Sequence, residues 1–300
     1  MIQKPEKISA DVALFSIAFV WALNFTVIKA SLDEIDPYSF NALRFILAAS
    51  FIWLVIIRKK AWFRIKKEDW KGLIPLALTG NLLYQWLFIA GIDLTLAANA
   101  ALMLGTIPIW VAVLSHLTGL ERLNRVTLIG VILAFLGLGL IIFFGKEPIS
   151  FGSDTFTGDL AILSAALVWA LFTIYSRSYL SRYSPLQLSA FMTTSGAVAL
   201  TALAIPFASV TDWPSVSALA WGGLAYSGLL AIGLAYIIWN NGIMRVGAVR
   251  TATYQNMVPV LGLFFGIVLL GETLQLLQYA GAVVVIGGIL LTRYSKKLRL

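Results

Sequence analysis

The second half of this chain repeats the first. The segment ALFSIAFVWAL at residues 13–23 returns as AILSAALVWAL at residues 161–171, which places Trp21 and Trp169 148 positions apart. Further landmarks recur in the same order at a separation of 151 positions. These pairs are Gly91 and Gly242, Ala97 and Ala248, Pro108 and Pro259, Glu121 and Glu272, Gly130 and Gly281, and Gly137 and Gly288. So many landmarks in one order indicate an internal duplication.

The composition is that of a membrane protein. Apolar residues make up 60% and charged residues 12% of the 300 residues, and the mean hydropathy is +0.89. Soluble domains carry about 25% charged residues, so lipid must be the solvent for most of this surface. The absence of cysteine excludes disulfides, a thiol nucleophile and a cysteine-based metal site. No small-residue cleavage site closes the first apolar run, which we interpret as an uncleaved span.

Runs of about 20 mainly apolar residues are long enough to cross the hydrocarbon core of a bilayer. They predict ten transmembrane helices, called spans one to ten: 10–30, 38–57, 72–92, 95–118, 126–145, 159–180, 185–206, 217–240, 247–270 and 275–293. Five spans fall in each repeat, residues 1–148 and 149–300, and because five is odd the second repeat must be inverted. The predicted fold is an all-α integral membrane protein with two inverted five-helix repeats around a central cavity. This architecture is typical of secondary transporters.

The basic residues lie almost entirely on one side of these spans. With both termini in the cytoplasm, the inner segments carry 19 of the 22 lysines and arginines, while the outer loops are mainly acidic. The positive-inside rule therefore predicts a multi-pass protein with both termini cytoplasmic. The net charge of +8 then reflects membrane topology, and we expect no nucleic-acid partner.

Polar and aromatic side chains share faces of several spans by helical spacing. Unsatisfied polar groups are costly in hydrocarbon, so these faces are expected to point inward. For each residue alone, interhelical hydrogen bonding is the slightly better explanation, but the set predicts a wetted cavity for an apolar or aromatic solute with a polar group. The candidate substrate-binding residues are Trp21, Asn24, Asn81, Tyr84, Gln85, Asn99, Trp169, Thr173, Tyr226, Tyr254 and Gln255. Tyr236 and Asn240 add to the polar face of span eight.

Prolines and glycines recur at equivalent positions in the two repeats. Pro108 and Pro259 lie mid-span, where each is expected to kink its helix and to act either as a hinge or as a packing element. The glycines of spans five and ten make smooth faces that let helices approach closely. We expect these faces to pack within a monomer, the alternative being a dimer interface.

No aspartate or glutamate lies near the middle of a span, so the sequence does not support proton coupling through a buried acid. Arg44 is predicted about 9 Å inside span two. It either attracts a substrate carboxylate or pairs with a carboxylate of the preceding loop, namely Asp33, Glu34 or Asp36.

An enzyme is the first rival class. The chain lacks a zinc-binding HExxH helix, a GxSxG elbow and a P-loop, and it has a single histidine. We therefore expect no catalytic residue, no metal and no cofactor. A receptor or channel is the second rival, and the inverted duplication favours a carrier over both classes.

The chain resembles the EamA family of the drug/metabolite transporter superfamily over nearly its whole length. Each repeat opens with a small-residue span ending in Trp-Ala-Leu, and each has a proline thirteen residues before Glu121 or Glu272, followed by a glycine-spaced closing helix. Within that family it looks most like the YddG-type aromatic amino-acid exporters of bacterial inner membranes. The resemblance implies ten helices around a central cavity and efflux of amino acids or related metabolites.

The combined prediction is an inner-membrane exporter of neutral, especially aromatic, amino acids that works by alternating access as a uniport-like monomer in contact with membrane lipid. The alternatives are a broad-specificity drug or organic-cation exporter and a carrier of another small metabolite. Two sets of residues are expected to hold the substrate. Its side chain would be enclosed by Trp21, Trp169, Tyr84 and Tyr254, and its ammonium and carboxylate groups would be bound by Asn24, Asn81, Gln85 and Gln255.

Overall fold

The computed structural model describes residues 4–95, 100, 103–120, 123–144, 153–270 and 275–295, and this part of the chain is helical without strands. The first repeat contains Lys4–Leu32 (span one), Pro37–Lys59 (two), Lys67–Ala77 and Tyr84–Leu94 (three), Ile107–Leu117 (four) and Arg125–Phe143 (five). The second contains Ser153–Tyr179 (six), Pro185–Ala204 (seven), Ala218–Tyr226 and Ala235–Val246 (eight), Ala248–Thr253 and Met257–Leu270 (nine), and Leu276–Tyr294 (ten). The predicted all-α membrane fold is thus confirmed.

Helix starts follow from local chemistry. The Asp36 carboxylate accepts a hydrogen bond from the Ser39 backbone at 2.8 Å, and Pro37 occupies the first turn of span two. Span seven begins in the same way, with a capping box between Ser184 and Gln187. Side chains at these positions satisfy backbone N–H groups that a helix start leaves free. Proline fits because its missing N–H is not needed there.

Eight helices in the described ranges are long and apolar enough to cross a membrane, and they correspond to spans one, two, three, five, six, seven, eight and ten. Spans four and nine, the equivalent fourth spans of the two repeats, are shorter or interrupted. In span four a turn at Gly105 and Thr106 precedes the helix Ile107–Leu117, and in span nine a 3-10 turn at Tyr254–Asn256 precedes Met257–Leu270.

The two prolines lie in the first turn of the longer helical segment of each fourth span. Pro108 follows the turn at Gly105 and Thr106, and Pro259 follows the 3-10 turn at Tyr254–Asn256. The backbone stays helical through the turn of span nine, so each turn is a local distortion beside a proline, where kinks are expected. The role of the two prolines as hinges stays a prediction.

The third span of each repeat carries a π-helical segment that the sequence did not predict. These are Leu78–Leu83 in span three and Ser227–Leu234 in span eight, and we call them the first and second π segments. Because spans three and eight are equivalent, the π-helical distortion is a shared feature of the two repeats. π-helical turns widen the backbone and frequently occur at functional sites.

The packing of spans five and ten shows that the repeats are inverted. Gly130 near the start of span five faces Gly288 near the end of span ten, while Gly137 faces Gly281. The two helices therefore run antiparallel, although they are equivalent in the repeats. Spans two and seven are antiparallel too, since Tyr38 stacks on Phe207 at 4.2 Å and Phe45 faces Gly196. The glycine faces pack within one chain, as expected for close helix approach.

Candidate functional site

Large aromatic side chains from both repeats meet between spans one, three, six and eight. The ring of Trp239 lies 5.4 Å from that of Trp21 and 5.9 Å from that of Trp169. Trp169 also contacts Tyr84 at 4.8 Å and Tyr236 at 5.9 Å. We call these five residues the aromatic cluster. The repeat-related pair Trp21 and Trp169 thus converges on a single tryptophan of span eight.

Sequence reasoning identified all members of the aromatic cluster except Trp239. This residue is 1% exposed, and it lies between Tyr236 and Asn240 on the same helical face, at i+3 from the tyrosine. The sequence analysis recognised this face from its polar residues, Tyr236 and Asn240. Applying the same helical spacing to aromatic residues would have included Trp239.

The π segments supply polar partners to the aromatic cluster. The Tyr236 hydroxyl donates to Asn81 Oδ1 at 2.8 Å, and Asn81 lies in the first π segment. Trp21 Nε1 donates to the carbonyl of Ala231 in the second π segment at 2.9 Å. Tyr226, at the start of that segment, donates to the Val20 carbonyl at 2.9 Å. The widened turns therefore tie span one to span eight and hold the rings in place.

Several buried polar atoms of Trp239 and of the predicted site residues lack a hydrogen-bond partner in the described part of the chain. They are Trp169 Nε1, Trp239 Nε1, Asn24 Oδ1, Thr173 Oγ1 and Gln255 Oε1. Unpaired groups are expensive inside a membrane protein, so such atoms need water or a ligand. Four of these residues are among the sequence-predicted site residues. Asn99, also predicted, lies outside the described residues.

Arg44 of span two is 4% exposed, and its hydrogen-bond partners among the described residues are neutral. Its guanidinium donates to Gln85 Oε1 at 2.7 Å and to Ser227 Oγ at 3.2 Å. The ring of Phe40 lies 5.6 Å from its central carbon. Its partner Gln85 follows Tyr84 in the chain, and its neighbour Phe45 faces Tyr236 with ring centroids 6.3 Å apart, so Arg44 borders the aromatic cluster.

A second group of polar residues lies at the start of span one. The Asp11 carboxylate, 4% exposed, accepts hydrogen bonds from Arg250 and, at 2.8 Å, from the Tyr254 hydroxyl. Arg293 Nε approaches the other carboxylate oxygen to 3.0 Å. We call these four residues the Asp11 cluster, and it joins span one to spans nine and ten. Tyr254 is therefore held about 15 Å along span one from Trp21 and is not part of the aromatic cluster.

The repeat mate of Asp11 makes an equivalent contact. Asp159 stands 148 positions later, at the start of span six, and accepts a hydrogen bond from the Thr95 hydroxyl after span three. The match of DVALFS with DLAILS was available in the sequence, but Asp11 was not identified there because its partners are distant along the chain. Because the repeats are inverted, these two contacts lie at opposite ends of the bundle.

The end of the bundle that holds Asp159 has further closing contacts. Glu34 accepts hydrogen bonds from the Ser217 backbone at 2.6 Å and from its hydroxyl at 2.8 Å. These hydrogen bonds lower the pKa of the Glu34 carboxyl below its usual value, and the bond from the Ser217 backbone has the largest effect. The Asp36 backbone donates to Thr211 at 2.9 Å. Neither acid pairs with Arg44 in the described structure.

A groove of about 380 Å³ lies on the outer surface between spans three and seven. It is apolar and lined by Leu78, Thr79, Leu82, Leu83, Trp86 and Leu203. Trp86 is 47% exposed there, two residues after Tyr84 of the aromatic cluster. The two faces of span three thus have different environments, and this groove is separate from the predicted central cavity.

Comparison with known proteins identifies the family. The sequence profile of the EamA-like transporter family matches residues 8–143 and again residues 156–294. The chain belongs to the EamA-like transporter family. This membership in the drug/metabolite transporter superfamily confirms the resemblance seen in the sequence, and the double match agrees with the two repeats. The protein is a multi-pass membrane transporter.

Similar proteins span nearly the same length as this EamA transporter. "Uncharacterized transporter YoaV" of Bacillus subtilis is 26% identical over 282 residues, covering 94% of this chain and 96% of the relative. A "Probable amino-acid metabolite efflux pump" of Salmonella typhimurium is 27% identical over 291 residues, covering 94% of each. A crystal structure with 18% identity matches with a TM-score of 0.79, covering 95% of this chain and 98% of that one. The last comparison supports the fold alone.

Proposed function

We propose that this EamA transporter exports neutral amino acids, aromatic ones first, from the bacterial cytoplasm across the inner membrane. The observation that carries the proposal is the convergence of Trp21 and Trp169, from equivalent first spans, on Trp239 at the interface between the inverted repeats. A flat apolar side chain is well matched to such a set of rings. The name of the Salmonella relative supports the amino-acid class.

The proposal assigns roles by position. Rings of the aromatic cluster enclose the substrate side chain, and the unpaired Trp169 and Trp239 N–H groups donate to its polar end. Asn24, Thr173 and Gln255 offer unpaired oxygens that can accept from an ammonium group. Tyr226 positions span eight against span one. Tyr254 belongs to the Asp11 cluster, and we therefore assign it to gating rather than to substrate stacking.

Alternating access follows from the two equivalent aspartates. The Asp11 cluster closes one end by tying span one to spans nine and ten, and the Asp159–Thr95 contact ties span six to the end of span three at the other end. Opening of either end requires loss of its own contact while the opposite one holds. The turns before Pro108 and Pro259 are proposed as the hinges of the fourth spans.

Transport is proposed to be facilitated, with both termini in the cytoplasm and a monomer as the working unit. No acidic residue lies mid-span, and intramembrane carboxylates are the usual proton-coupling groups. A broad exporter of organic cations is disfavoured, because the buried positive charge of Arg44 beside the aromatic cluster repels cations.

Uptake of labelled phenylalanine into proteoliposomes tests the proposal. We expect Trp169→Ala to lower the uptake rate by about 10- to 100-fold, since losing a buried aromatic contact costs about 1.5–3 kcal/mol; Trp21→Ala should act similarly. Trp86→Ala is the matched control, because Trp86 is two residues from Tyr84 but lines the outer groove rather than the aromatic cluster. Uptake no faster than into empty liposomes would refute the function.

An imposed pH gradient should leave the rate of phenylalanine uptake unchanged, because no acidic residue lies mid-span to couple transport to protons. Strong stimulation of uptake by the gradient would refute uniport.

A further inference from the structure

The buried charge of Arg44 is costly without an anion nearby. Arginine within a membrane span is expensive unless it is paired or faces a polar interior. Arg44 is 4% exposed, yet within the described ranges it donates hydrogen bonds only to the neutral side chains of Gln85 and Ser227. Its Nε atom has no partner in the described structure. The site therefore holds a full positive charge with donor capacity left over.

The carboxylates that could have neutralised Arg44 are used elsewhere. Glu34 is bound to Ser217, and Asp36 caps the start of span two through Ser39. Neither of these two acids, nor the exposed Asp33, pairs with Arg44 in the described part of the chain. The interpretation of Arg44 as an ion-pair partner of the preceding loop is therefore not the one that the structure adopts.

The charge at this position is not required for packing of the fold. The residue 148 positions after Arg44 is Met192, which is fully buried at the equivalent place in span seven. The same scaffold position is thus filled by an apolar side chain of similar length in the other repeat. Gln85 has Tyr236 as its mate at a separation of 151 positions, so the polar partner is also confined to one copy. An asymmetric charge in a symmetric scaffold indicates a function beyond helix packing.

We propose that Arg44 binds the carboxylate of the transported molecule, so that the substrates are carboxylate-bearing amino acids and organic acids and exclude the corresponding amides and amines. The inference rests on the proposed function, since it assigns the polar end of the same substrate. Arginine presents a planar fork of donors that matches a carboxylate in two parallel hydrogen bonds. Gln85 and Ser227 position the guanidinium, and adjacent Tyr84 joins this anion site to the aromatic cluster.

Matched ligand pairs test the proposal on the wild-type protein. Phenylalanine, 3-phenylpropionate and phenylalaninamide share one ring and differ in the carboxylate or ammonium group. We expect phenylalanine and 3-phenylpropionate to compete with labelled phenylalanine at concentrations about 10- to 100-fold lower than phenylalaninamide requires. They should raise the Tm at similarly lower concentrations. This difference is the one expected when a ligand loses a charge-assisted hydrogen bond. Equal potency of acid and amide, or no effect of either acid, would overturn the assignment.

Arg44→Met is the decisive variant, because methionine already fills the equivalent position. It should abolish the preference for acid over amide, while the Tm without ligand stays unchanged or rises, as when a buried charge is replaced by a well-packed apolar group. Arg44→Lys should restore part of the preference. Retention of the full preference by Arg44→Met would overturn the proposal, as would a large fall in its ligand-free Tm, which indicates a structural role.

The two proposals fail in distinguishable ways. If 3-phenylpropionate binds through Arg44 but no amino acid is transported, the carboxylate site stands and the amino-acid function falls. If phenylalanine is transported and the amide competes equally well, the function stands and the role of Arg44 falls.

Discussion

Asp11→Ala is expected to lower the free energy of unfolding by about 3–5 kcal/mol, the usual cost of removing one partner from a buried ion pair. The Asp11 side chain is 5% exposed, and those of Arg250 and Arg293 are 15% and 28% exposed. Its loss leaves two guanidinium groups close together and the Tyr254 hydroxyl without its acceptor. Thermal unfolding of the purified protein in detergent measures the effect.

Glu68→Ala is the matched control for this ion pair. Glu68 lies 3.9 Å from Lys66, with side chains that are 70% and 63% exposed. Exposed pairs contribute about 0–1 kcal/mol, so the control should unfold almost as the wild type does. Because the Asp11 cluster closes one end of the bundle, Asp11→Ala should also increase the access of water-soluble reagents from that end. A variant with unchanged stability and unchanged access would remove the cluster from the mechanism.

Gly288→Ala is expected to destabilise the bundle by about 1–3 kcal/mol, the usual cost of overpacking. A Cβ at Gly288 would lie 2.5 Å from the Gly130 carbonyl oxygen and 2.6 Å from the Ala134 backbone nitrogen. Both atoms belong to the backbone of span five, so the helices must move apart. Gly288→Leu should prevent spans five and ten from packing at all. The apparent Tm in detergent reports both effects.

The neighbouring glycine provides the control. A Cβ at Gly287 has no atom within 4 Å, so Gly287→Ala adds only helix propensity, worth up to about 1 kcal/mol in the stabilising direction. The two substitutions are chemically identical and adjacent in the same helix. Similar Tm values for the two alanine variants would show that spans five and ten do not pack as described.

Much of the fold follows from local sequence. The apolar runs predict the spans, and the proline-bearing starts of spans two and seven follow from capping chemistry at Asp36 and Ser184. The duplication predicts the inversion, which the antiparallel contact of Gly130 with Gly288 displays. These features depend on composition, spacing and a few turn residues, all of which a single chain carries.

Other features depend on partners that are distant along the chain. No residue type specifies a π-helical turn, so the sequence did not predict the π segments. The sequence could not show whether Arg44 pairs with Glu34 or Asp36, because Glu34 instead binds Ser217, which is 183 positions away. Asp11 binds Arg250, 239 positions away, and also accepts a hydrogen bond from Tyr254. Tyr254 therefore lies at the end of the bundle rather than on the predicted substrate face. Proline alone does not specify whether the turn before it is α-helical or 3-10.

The orientation of the two repeats is the central claim, and cysteine labelling tests it most directly. Asp33 and Ser181 are exposed, equivalent residues 148 positions apart, and the chain has no cysteine of its own. With a membrane-impermeant maleimide on intact cells, Asp33→Cys should react from outside, and Ser181→Cys should react only after the membrane is opened. Labelling of both positions from the same side would contradict the inverted repeats and, with them, the carrier mechanism.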